Sequence, residues 1–191
     1  MITTMNTPRS LALVGMPGAG KTLCAKHLEH RGYFQYRFGS IIVDEVARRG
    51  WPLTPENERI VREEFRANEG MEAIARRALP HLKAALETHQ SVVIDGLYGF
   101  GEYKLLHEEL GTGMVVVAVL APRWLRYDRL TSRPERPLTA AEAEARDYQE
   151  IEKLEKGGPI ALADFYLHND GEPETMLGAL DALVAELAFQ P

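Results

Sequence analysis

A glycine-rich segment near the start of the chain has the residue types and spacing that bind phosphate groups. Residues 15–22, GMPGAGKT, match the pattern G-x-x-x-x-G-K-[ST]. Gly15, Gly18 and Gly20 allow backbone angles and a close approach that a Cβ would block. The freed N–H groups then face inward as an anion nest, to which the following helix adds the positive end of its dipole. The residues expected to surround the phosphates are Gly15, Pro17, Gly18, Ala19, Gly20, Lys21, Thr22 and Leu23.

Two side chains of this segment and one later carboxylate predict chemistry on a bound triphosphate. Lys21 is expected to reach the β- and γ-phosphate oxygens as a catalytic residue, and the Thr22 hydroxyl is expected to ligate Mg²⁺. The metal needs a second anchor at the end of a neighbouring strand, and Asp95 follows the apolar run VVI there. A helix cap or a turn is the alternative role for Asp95. The sequence thus predicts a P-loop site for ATP and Mg²⁺.

A second group of chemistry-bearing residues lies in the stretch RWLRYDRLTSRPERPLT. On a helix, Arg126, Arg129 and Arg133 recur along one face, and Arg136 follows in a proline-flanked loop. Planar guanidinium groups suit the charge that phosphoryl transfer spreads over the oxygens of the transferred group. We expect Arg129 to contact the nucleotide, Arg133 and Arg136 to be catalytic, and residues 133–147 to form a lid. A solvated basic stripe is the alternative.

The elements that must position these residues are visible as apolar runs without polar alternation. Four such runs are expected to form buried parallel strands: residues 11–15, 92–96, 114–120 and 164–169. Residues 33–38 alternate more and are expected to lie nearer a sheet edge. Helical stretches separate the strands, with a kink or break expected at Pro80. A capping box at Thr139 is expected to open a helix that ends at residues 157–159. Strands that alternate with helices predict an α/β sheet with right-handed crossovers.

Composition and charge bound the remaining possibilities. The chain of 191 residues is long enough for one domain, and its single cysteine favours a reducing compartment. The first residues, MITTMNTPRS, lack a basic region followed by a long apolar stretch, so no signal peptide is expected. No apolar run approaches the ~20 residues of a membrane span. The net charge of −6 disfavours a protein that coats nucleic acid. We expect a single cytoplasmic domain, residues 1–191, without a membrane partner.

Three classes of phosphate-binding protein remain open. GTPase switches carry an N-K-x-D tetrapeptide, which does not occur in this chain. Motor and remodelling ATPases usually place an acidic pair after the second apolar strand, whereas Asp95 is followed by a glycine. These differences favour a kinase that acts on a small molecule over an ATPase or a nucleotide-binding switch without an acceptor. A nucleic-acid end kinase is the third class, supported by the density of arginines and opposed by the acidic total charge.

Six stretches, in this order along nearly the whole chain, resemble the nucleoside-monophosphate-kinase-like group of P-loop kinases. They are GMPGAGKT, RFGSIIVDEVARRG, VVIDG, RYDRLTSR, RDYQEIEK and ALADFYLHNDG. The last stretch is similar to the ADxxIxN-x-G ending of dephospho-CoA kinases, which with their relatives are the nearest members. The resemblance implies a three-layer α/β sandwich with a small lid. Its five-stranded parallel sheet would have the order 2-3-1-4-5 and helices on both faces.

The resemblance also implies roles for residues outside the P-loop. In relatives, the turn that corresponds to residues 169–172 borders the adenine of ATP, which implies contacts from Asn169 and Gly171. The acceptor pocket is implied near the helices at about residues 40–88. The candidate acceptor-binding residues are Ser40, Asp44, Arg48, Asp95 and Tyr98.

Two departures from the resemblance bear on the acceptor. Tyr98 stands where monophosphate kinases usually have an arginine, and Ser40 stands where many relatives have an aspartate. Both departures disfavour a plain nucleoside monophosphate. The expected activity is transfer of the γ-phosphoryl group of ATP to a nucleotide-like or coenzyme-like acceptor, as in dephospho-CoA kinases.

Overall fold

Five strands of the computed structural model, which describes residues 9–191, form one parallel sheet. They are β1 Ser10–Val14, β2 Phe34–Arg37, β3 Val92–Asp95, β4 Met114–Leu120 and β5 Phe165–His168. Their order in the sheet is β2-β3-β1-β4-β5, which confirms the predicted order, and β2 lies at one edge as expected. The prediction of a buried strand at residues 164–169 was wrong, because β5 lies at the other edge and only its Leu167 is buried. The expectation about a signal peptide draws on residues 1–8, which lie outside the described part of the chain.

Helices separate the strands, as the alternation of elements in the sequence predicted. They are α1 Lys21–His30, α2 Gly39–Arg48, α3 Pro55–Glu69, α4 Ala73–Thr88, α5 Phe100–Leu110, α6 Arg123–Ser132, α7 Ala140–Glu152, α8 Gly157–Ala161 and α9 Pro173–Glu186. The Thr54 hydroxyl caps α3 by accepting a hydrogen bond from the N–H of Asn57 at 3.2 Å. The capping box predicted at Thr139 is confirmed at the start of α7. Across residues 9–191, we find no helix with the length and apolar character needed to cross a membrane.

Alternate residues of the strands face two hydrophobic cores, one on each side of the sheet. In β1, Ala12 and Val14 face a core that includes side chains of α2, α3, α4 and α5. Leu11 and Leu13 face a second core, which includes side chains of α1 and α9. These four side chains are fully buried. Helices therefore cover both faces of the sheet, which confirms the predicted three layers.

The register of the sheet places the residues expected to do chemistry at the carboxyl end of its strands. Asp95, the last residue of β3, pairs with Leu13 of β1 and with Arg37 of β2. Because the strands are parallel, the segment that follows β1 leaves the sheet beside Asp95. Ligands of open α/β sheets bind outside the carboxyl ends of the strands. The functional site is therefore expected at this end of the sheet.

The break that the sequence suggested at Pro80 does not occur. The helix α4 runs through Pro80 for 16 residues. A proline removes one backbone hydrogen bond from a helix. Ala78 and Leu82, on either side of Pro80, are both fully buried, so packing against the core holds the two halves of α4 together.

The prediction for the end of α7 was wrong. This helix ends at Glu152, whereas residues 157–159 belong to the short helix α8. Glu155 lies between the two helices with a φ of 52°, a left-handed conformation that no α-helix contains. A glycine pair is a common helix end, but here Gly157 is the first residue of the next helix.

Candidate active site

The predicted phosphate loop joins β1 to α1, and its conformation requires glycine at two positions in particular. Gly15 has a φ of 145°, and a Cβ there would lie 2.4 Å from the carbonyl oxygen of Val119 on β4. Gly20 has a φ of 113°, and a Cβ there would lie 2.2 Å from the side-chain nitrogen of Asn169. Both distances are shorter than any van der Waals contact. The backbone angles and the close approach therefore depend on the absence of a side chain, as the motif predicted.

The first turn of α1 is open to an anion. Gly20 precedes the helix and supplies no side-chain cap, so no capping side chain satisfies the first N–H groups of α1. Thr22 and Leu23 are exposed at this end of the helix. Free N–H groups and the positive end of the helix dipole together attract phosphate. The loop therefore fits the polyphosphate that the motif predicts.

Two arginines of α6 donate hydrogen bonds to backbone carbonyl oxygens of the loop. Arg126 Nη1 donates a hydrogen bond to the carbonyl oxygen of Pro17 at 3.0 Å. Arg129 Nη1 donates one to the carbonyl oxygen of Gly18 at 3.5 Å. Arg126 also forms a two-pronged ion pair with Asp147 of α7. These two members of the arginine stripe thus contact the loop itself, through its carbonyl oxygens.

Asn169, the residue after β5, holds the loop near the start of α1. Its Nδ2 donates a hydrogen bond to the carbonyl oxygen of Ala19 at 2.7 Å, and its Oδ1 accepts one from Arg129 Nη2 at 3.2 Å. The side chain is almost fully buried. Gly171 is exposed two residues later, with no atom within 4 Å of the position that a Cβ would take. The two residues that the resemblance assigned to the adenine side therefore differ: Asn169 supports the loop, and Gly171 lies in an open turn.

Lys21 lies where the loop meets α1. Its Nζ donates hydrogen bonds to the carbonyl oxygens of Gly15, at 2.8 Å, and of Met16, at 3.2 Å. Burial, followed by the positive charge of Lys156, lowers the pKa of Lys21 to about 7. A phosphate group beside this lysine would favour its charged form. Lys21 is thus a part-buried amine with a lowered pKa at the phosphate loop.

Asp95 and Thr22 are the candidate metal ligands. The Oδ2 of Asp95 accepts a hydrogen bond from Gln35 Nε2 at 3.2 Å. Burial raises the pKa of the Asp95 carboxyl above its ordinary value, while the charges of Lys21 and Arg37 oppose this shift. The described part of the chain contains no group of three or more His, Cys, Asp and Glu side chains arranged for a metal. One carboxylate and one hydroxyl fit Mg²⁺, which usually keeps water molecules and substrate phosphates as its other ligands.

A buried charge network extends from Lys21 towards α5 and α8. Lys156 is 1% exposed, and its ammonium group pairs with Glu150 and lies 4.6 Å from the centre of the Tyr98 ring. Burial raises the pKa of Tyr98 to about 12, to which the charges of Asp95 and Glu150 contribute. Sequence reasoning did not find Lys156 or Glu150. Nothing in the local pattern distinguishes a lysine buried beneath a tyrosine ring from a solvated one.

Glu102 of α5 and Arg66 of α3 lie side by side in this network. Glu102 is 0% exposed, and its Oε2 accepts hydrogen bonds from the N–H groups of Tyr98, at 2.8 Å, and Gly99, at 3.1 Å. Its Oε1 lies 3.7 Å from Arg66 Nη2. Sequence reasoning missed both residues. The capping-box spacing of Gly99 and Glu102 is the signal that could have revealed α5 and with it this carboxylate.

The residues predicted to bind the acceptor fall into two groups. Asp95, at the end of β3, and Tyr98, just after it, interact electrostatically with each other, and Asp95 also interacts with Lys21. Those on α2 lie elsewhere: Asp44 and Arg48 line a cleft of about 280 Å³ between α2, α3 and α4, and Arg48 there pairs with Glu45. Ser40 is half-buried in the first turn of α2. Within the described residues, no hydrogen bond links Asp44 or Arg48 to the network.

The two arginines predicted to be catalytic lie beyond the end of α6. Arg133 Nε donates a hydrogen bond to the carbonyl oxygen of Arg136 at 2.7 Å, and Arg136 is exposed with a φ of 49°. Burial, followed by the charges of Arg146 and Arg136, lowers the pKa of Arg133. In residues 9–191, neither side chain makes a hydrogen bond to the phosphate loop. A catalytic role for Arg133 and Arg136 therefore stays a prediction.

A P-loop after the central strand of a parallel sheet in the order 2-3-1-4-5 defines the fold class of the P-loop kinases. The chain shares this fold with a Thermus thermophilus protein (TM-score 0.67, 23% identity, 94% of this chain and 98% of the other covered). It also shares it with a shikimate kinase of Bacteroides thetaiotaomicron (TM-score 0.59, 14% identity, 94% and 98% covered). A dephospho-CoA kinase of Campylobacter jejuni is a further match (TM-score 0.53, 14% identity, 95% and 98% covered). The expected P-loop kinase fold is thus confirmed, and at these identities the likeness concerns the fold alone.

The family follows from sequence comparison. Residues 11–155 match the family described as AAA domain. A UPF0200 protein of Thermococcus kodakarensis is 34% identical over 178 residues, which cover 92% of this chain and 96% of that protein. The chain therefore belongs to the UPF0200 proteins and, over residues 11–155, to the AAA domain family.

Proposed function

We propose that this protein is an ATP-dependent kinase that transfers the γ-phosphoryl group of ATP to a nucleotide-like or coenzyme-like small molecule. The main support is the neighbourhood of two charged side chains at the carboxyl edge of the sheet. Lys21 follows β1, Asp95 ends the adjacent strand β3, and their charges interact. The fold class supports a phosphotransferase, and the network beyond Asp95 supports an acceptor that binds on that side.

The residues of the loop take the following roles in this proposal. The N–H groups of the loop and of the first turn of α1 bind the phosphates of ATP. The Lys21 ammonium group stabilises the charge of the transferred phosphoryl group. Thr22 and Asp95 would hold Mg²⁺, which when bound neutralises charge on the β- and γ-phosphates. Asn169 keeps the loop donors in position before ATP arrives, so that little reorganisation is needed.

The surroundings of Asp95 favour transfer to an acceptor over hydrolysis. Gly96 follows Asp95, so the strand does not continue into a second carboxylate that would activate water. Glu150, another carboxylate of the network, is paired with Lys156. A kinase is therefore preferred here to an ATPase or a nucleotide switch.

Residues 133–147 form the lid in this proposal. Pro134 and Pro137 interrupt any helix between α6 and α7. Closure would bring Arg133 and Arg136 to the phosphates and exclude water, which protects ATP from hydrolysis. The present contact of Arg133 with a backbone carbonyl is local and exposed, so it offers little resistance to such a movement.

We infer a cytoplasmic location and small-molecule partners from the composition. Cys24 is fully buried, and burial raises the pKa of its thiol to about 12, so this single cysteine is a packing residue. The acidic net charge of −6 disfavours nucleic acid as a partner.

ATP consumption tests the proposal. The protein is incubated with ATP and Mg²⁺ alone, and then with dephospho-CoA, nucleosides, nucleoside monophosphates or oligonucleotide ends. Stimulation by one small molecule is expected, with the phosphorylated product identified by mass spectrometry. Consumption that no acceptor stimulates would instead indicate an ATPase. Stimulation by oligonucleotide ends alone would indicate a nucleic-acid end kinase.

A further inference from the structure

Two buried polar atoms in the network have no partner. Glu102 is 0% exposed, yet its Oε1 accepts no hydrogen bond within residues 9–191, and Arg66 Nε donates none. Arg66 Nη2 and Glu102 Oε1 are 3.7 Å apart, which is too long for a hydrogen bond. Buried polar groups in folded proteins are almost always satisfied. The two side chains therefore form an ion pair in which Glu102 Oε1 and Arg66 Nε keep unused hydrogen-bonding capacity.

The structural role of Glu102 does not explain its free oxygen. The Oε2 accepts from the N–H groups of Tyr98 and Gly99, which caps α5 and fixes the carboxylate. The Oε1 is therefore held in one direction whether or not Arg66 is present. Capping needs one oxygen of Glu102, and the other is left for a ligand.

The charges around this pair favour an anion. The network combines five cationic side chains with three carboxylates: Lys21, Arg62, Arg66, Arg146 and Lys156 with Asp95, Glu102 and Glu150. Burial lowers the pKa of Arg66, Glu102 opposes this shift, and the charge of Arg62, one turn earlier on α3, lowers it further. A guanidinium group held beside a second one is stabilised by an oxyanion, to which it can donate two parallel hydrogen bonds.

We propose that Arg66 and Glu102 recognise the acceptor, and that the acceptor carries an oxyanion, a carboxylate or a phosphate, close to a hydroxyl group. The oxyanion accepts hydrogen bonds from Arg66 Nε and Nη2, and the hydroxyl donates to Glu102 Oε1. This inference rests on the proposed kinase and narrows its acceptor to an anionic, hydroxyl-bearing small molecule. It also accounts for Tyr98 at the position after β3 where an arginine was expected, because α3 supplies the anion-binding arginine instead.

Thermal unfolding with matched probes tests this inference. The protein is saturated with Mg²⁺ and a non-hydrolysable ATP analogue, so that the phosphate loop is occupied. It is then titrated with gluconate or glucose, with glycerol 3-phosphate or glycerol, and with inorganic phosphate. The anionic member of at least one pair is expected to raise the Tm, and its neutral partner is not. The gluconate and glycerol 3-phosphate arms distinguish a carboxylate from a phosphate.

Variants assign the effect to the two side chains. Arg66→Met should lower the affinity for the anionic probes by about tenfold to a hundredfold. Arg66→Lys keeps the charge but not the two-pronged geometry, so it should lower that affinity less. Glu102→Gln should lower the affinity for the hydroxyl-bearing anions and leave the affinity for inorganic phosphate unchanged. Arg59→Met is the matched control, because Arg59 lies on the same helix but is exposed and pairs with Glu56 and Glu63. It should bind every probe as the wild type does.

The outcomes separate this inference from the proposed function. If the ATP analogue raises the Tm but no anionic probe does, the recognition pair is wrong and the kinase proposal stands. The recognition pair is also wrong if Arg66→Lys binds the probes as tightly as the wild type does. This variant decides the question if Arg66→Met does not fold. If the ATP analogue itself does not raise the Tm, the proposed function is wrong, and the inference with it.

Discussion

The carboxylate of Asp147 accepts hydrogen bonds from both terminal nitrogens of Arg126, at 2.9 and 2.5 Å, and each of the two side chains is 8% exposed. Arg126 donates in addition to the carbonyl oxygen of Pro17 in the phosphate loop. A two-pronged pair of this kind is stronger and more directional than a single hydrogen bond. One buried ion pair therefore joins α6, α7 and the loop.

Asp147→Ala is expected to lower the free energy of unfolding by about 3–5 kcal/mol, because it leaves the charge of Arg126 buried without its partner. Asp147→Asn keeps one acceptor and should have a smaller effect. Urea denaturation followed by circular dichroism measures both. Asp128→Ala, at an exposed aspartate on α6, is the control and should change stability by less than about 0.5 kcal/mol. Equal losses of unfolding free energy in the Asp147 and Asp128 variants would show that the buried pair adds no more stability than an exposed aspartate does.

Lys21→Ala is expected to lower phosphoryl-transfer turnover by several orders of magnitude while the fold is kept. The reason is the loss of the positive charge that stabilises the transferred group. Steady-state kinetics with the identified acceptor gives the turnover, and circular dichroism confirms folding. Lys26→Ala, at an exposed lysine on the same helix, should retain wild-type turnover. Near wild-type turnover in the folded Lys21 variant would mean that the loop is not catalytic.

ATP binding is expected to take up a proton between about pH 7 and pH 9. Burial lowers the pKa of Lys21 from 10.5 to about 7, so above pH 7 the amine is mainly neutral, whereas bound phosphates favour the ammonium form. The affinity for ATP should therefore fall as the pH rises through this window. Calorimetry at pH 8 in buffers of different ionisation enthalpy measures the uptake. Lys21→Met should bind ATP without this proton, and uptake that persists in that variant would assign the effect to another group.

The same shift has a consequence for stability with a defined sign. The unfolded lysine keeps its proton up to about pH 10, while the folded lysine loses it near pH 7. The unfolded state therefore binds more protons between these values. The contribution of Lys21 to the free energy of unfolding accordingly rises with pH across that range, in the absence of ATP.

Asp95→Asn is expected to weaken the dependence on Mg²⁺ and the turnover more than it weakens ATP binding. The amide removes a charged metal ligand, whereas the backbone of the loop still binds the phosphates. Titration of activity with Mg²⁺, together with equilibrium binding of ATP, separates the two effects. Asp164→Asn, at a carboxylate that accepts from the backbone N–H of Val116, is a control away from the loop. An unchanged Mg²⁺ requirement in the Asp95 variant would return Asp95 to the role of a turn residue.

Residues 133–147 are expected to exchange amide hydrogens rapidly in the free protein and more slowly with a bound ATP analogue. The change should be concentrated before α7, because Asp147 is already held by Arg126. Hydrogen exchange read by mass spectrometry measures it, with α9 as an internal reference that should not change. Slow exchange that is identical in both states would contradict a lid.

The parts of the fold that the sequence predicted are those with a strong local cause. The three central strands β1, β3 and β4 are mainly apolar runs, and the loop has glycines wherever a Cβ would collide with its surroundings. The helix that opens at Thr139 has a capping box. In each case the residues that determine the structure are neighbours in sequence, so their pattern is visible before folding.

The charge network escaped prediction because its members are brought together by tertiary packing. Arg66 and Glu102 lie on different helices, and the helix α4 and the strand β3 separate those helices along the chain. Lys156 is a lysine in an ordinary polar stretch, and only the packing of α8 against α5 and Tyr98 buries it. The two arginines of α6 were predicted only in part. Helical periodicity placed Arg126 and Arg129 on one face of the helix, but it could not show that they contact the carbonyl oxygens of the loop.

The region that matches the AAA domain family ends at residue 155, before β5 and Asn169. Asn169 nevertheless donates a hydrogen bond to the carbonyl oxygen of Ala19, and its amide group occupies the space that a side chain at Gly20 would need. A chain shortened to the matched residues would retain the whole GMPGAGKT motif and lose the side chain that braces it. The stretch that the family model matches thus leaves out a side chain that contacts the loop, whereas the match to the Thermococcus kodakarensis relative covers 92% of the chain.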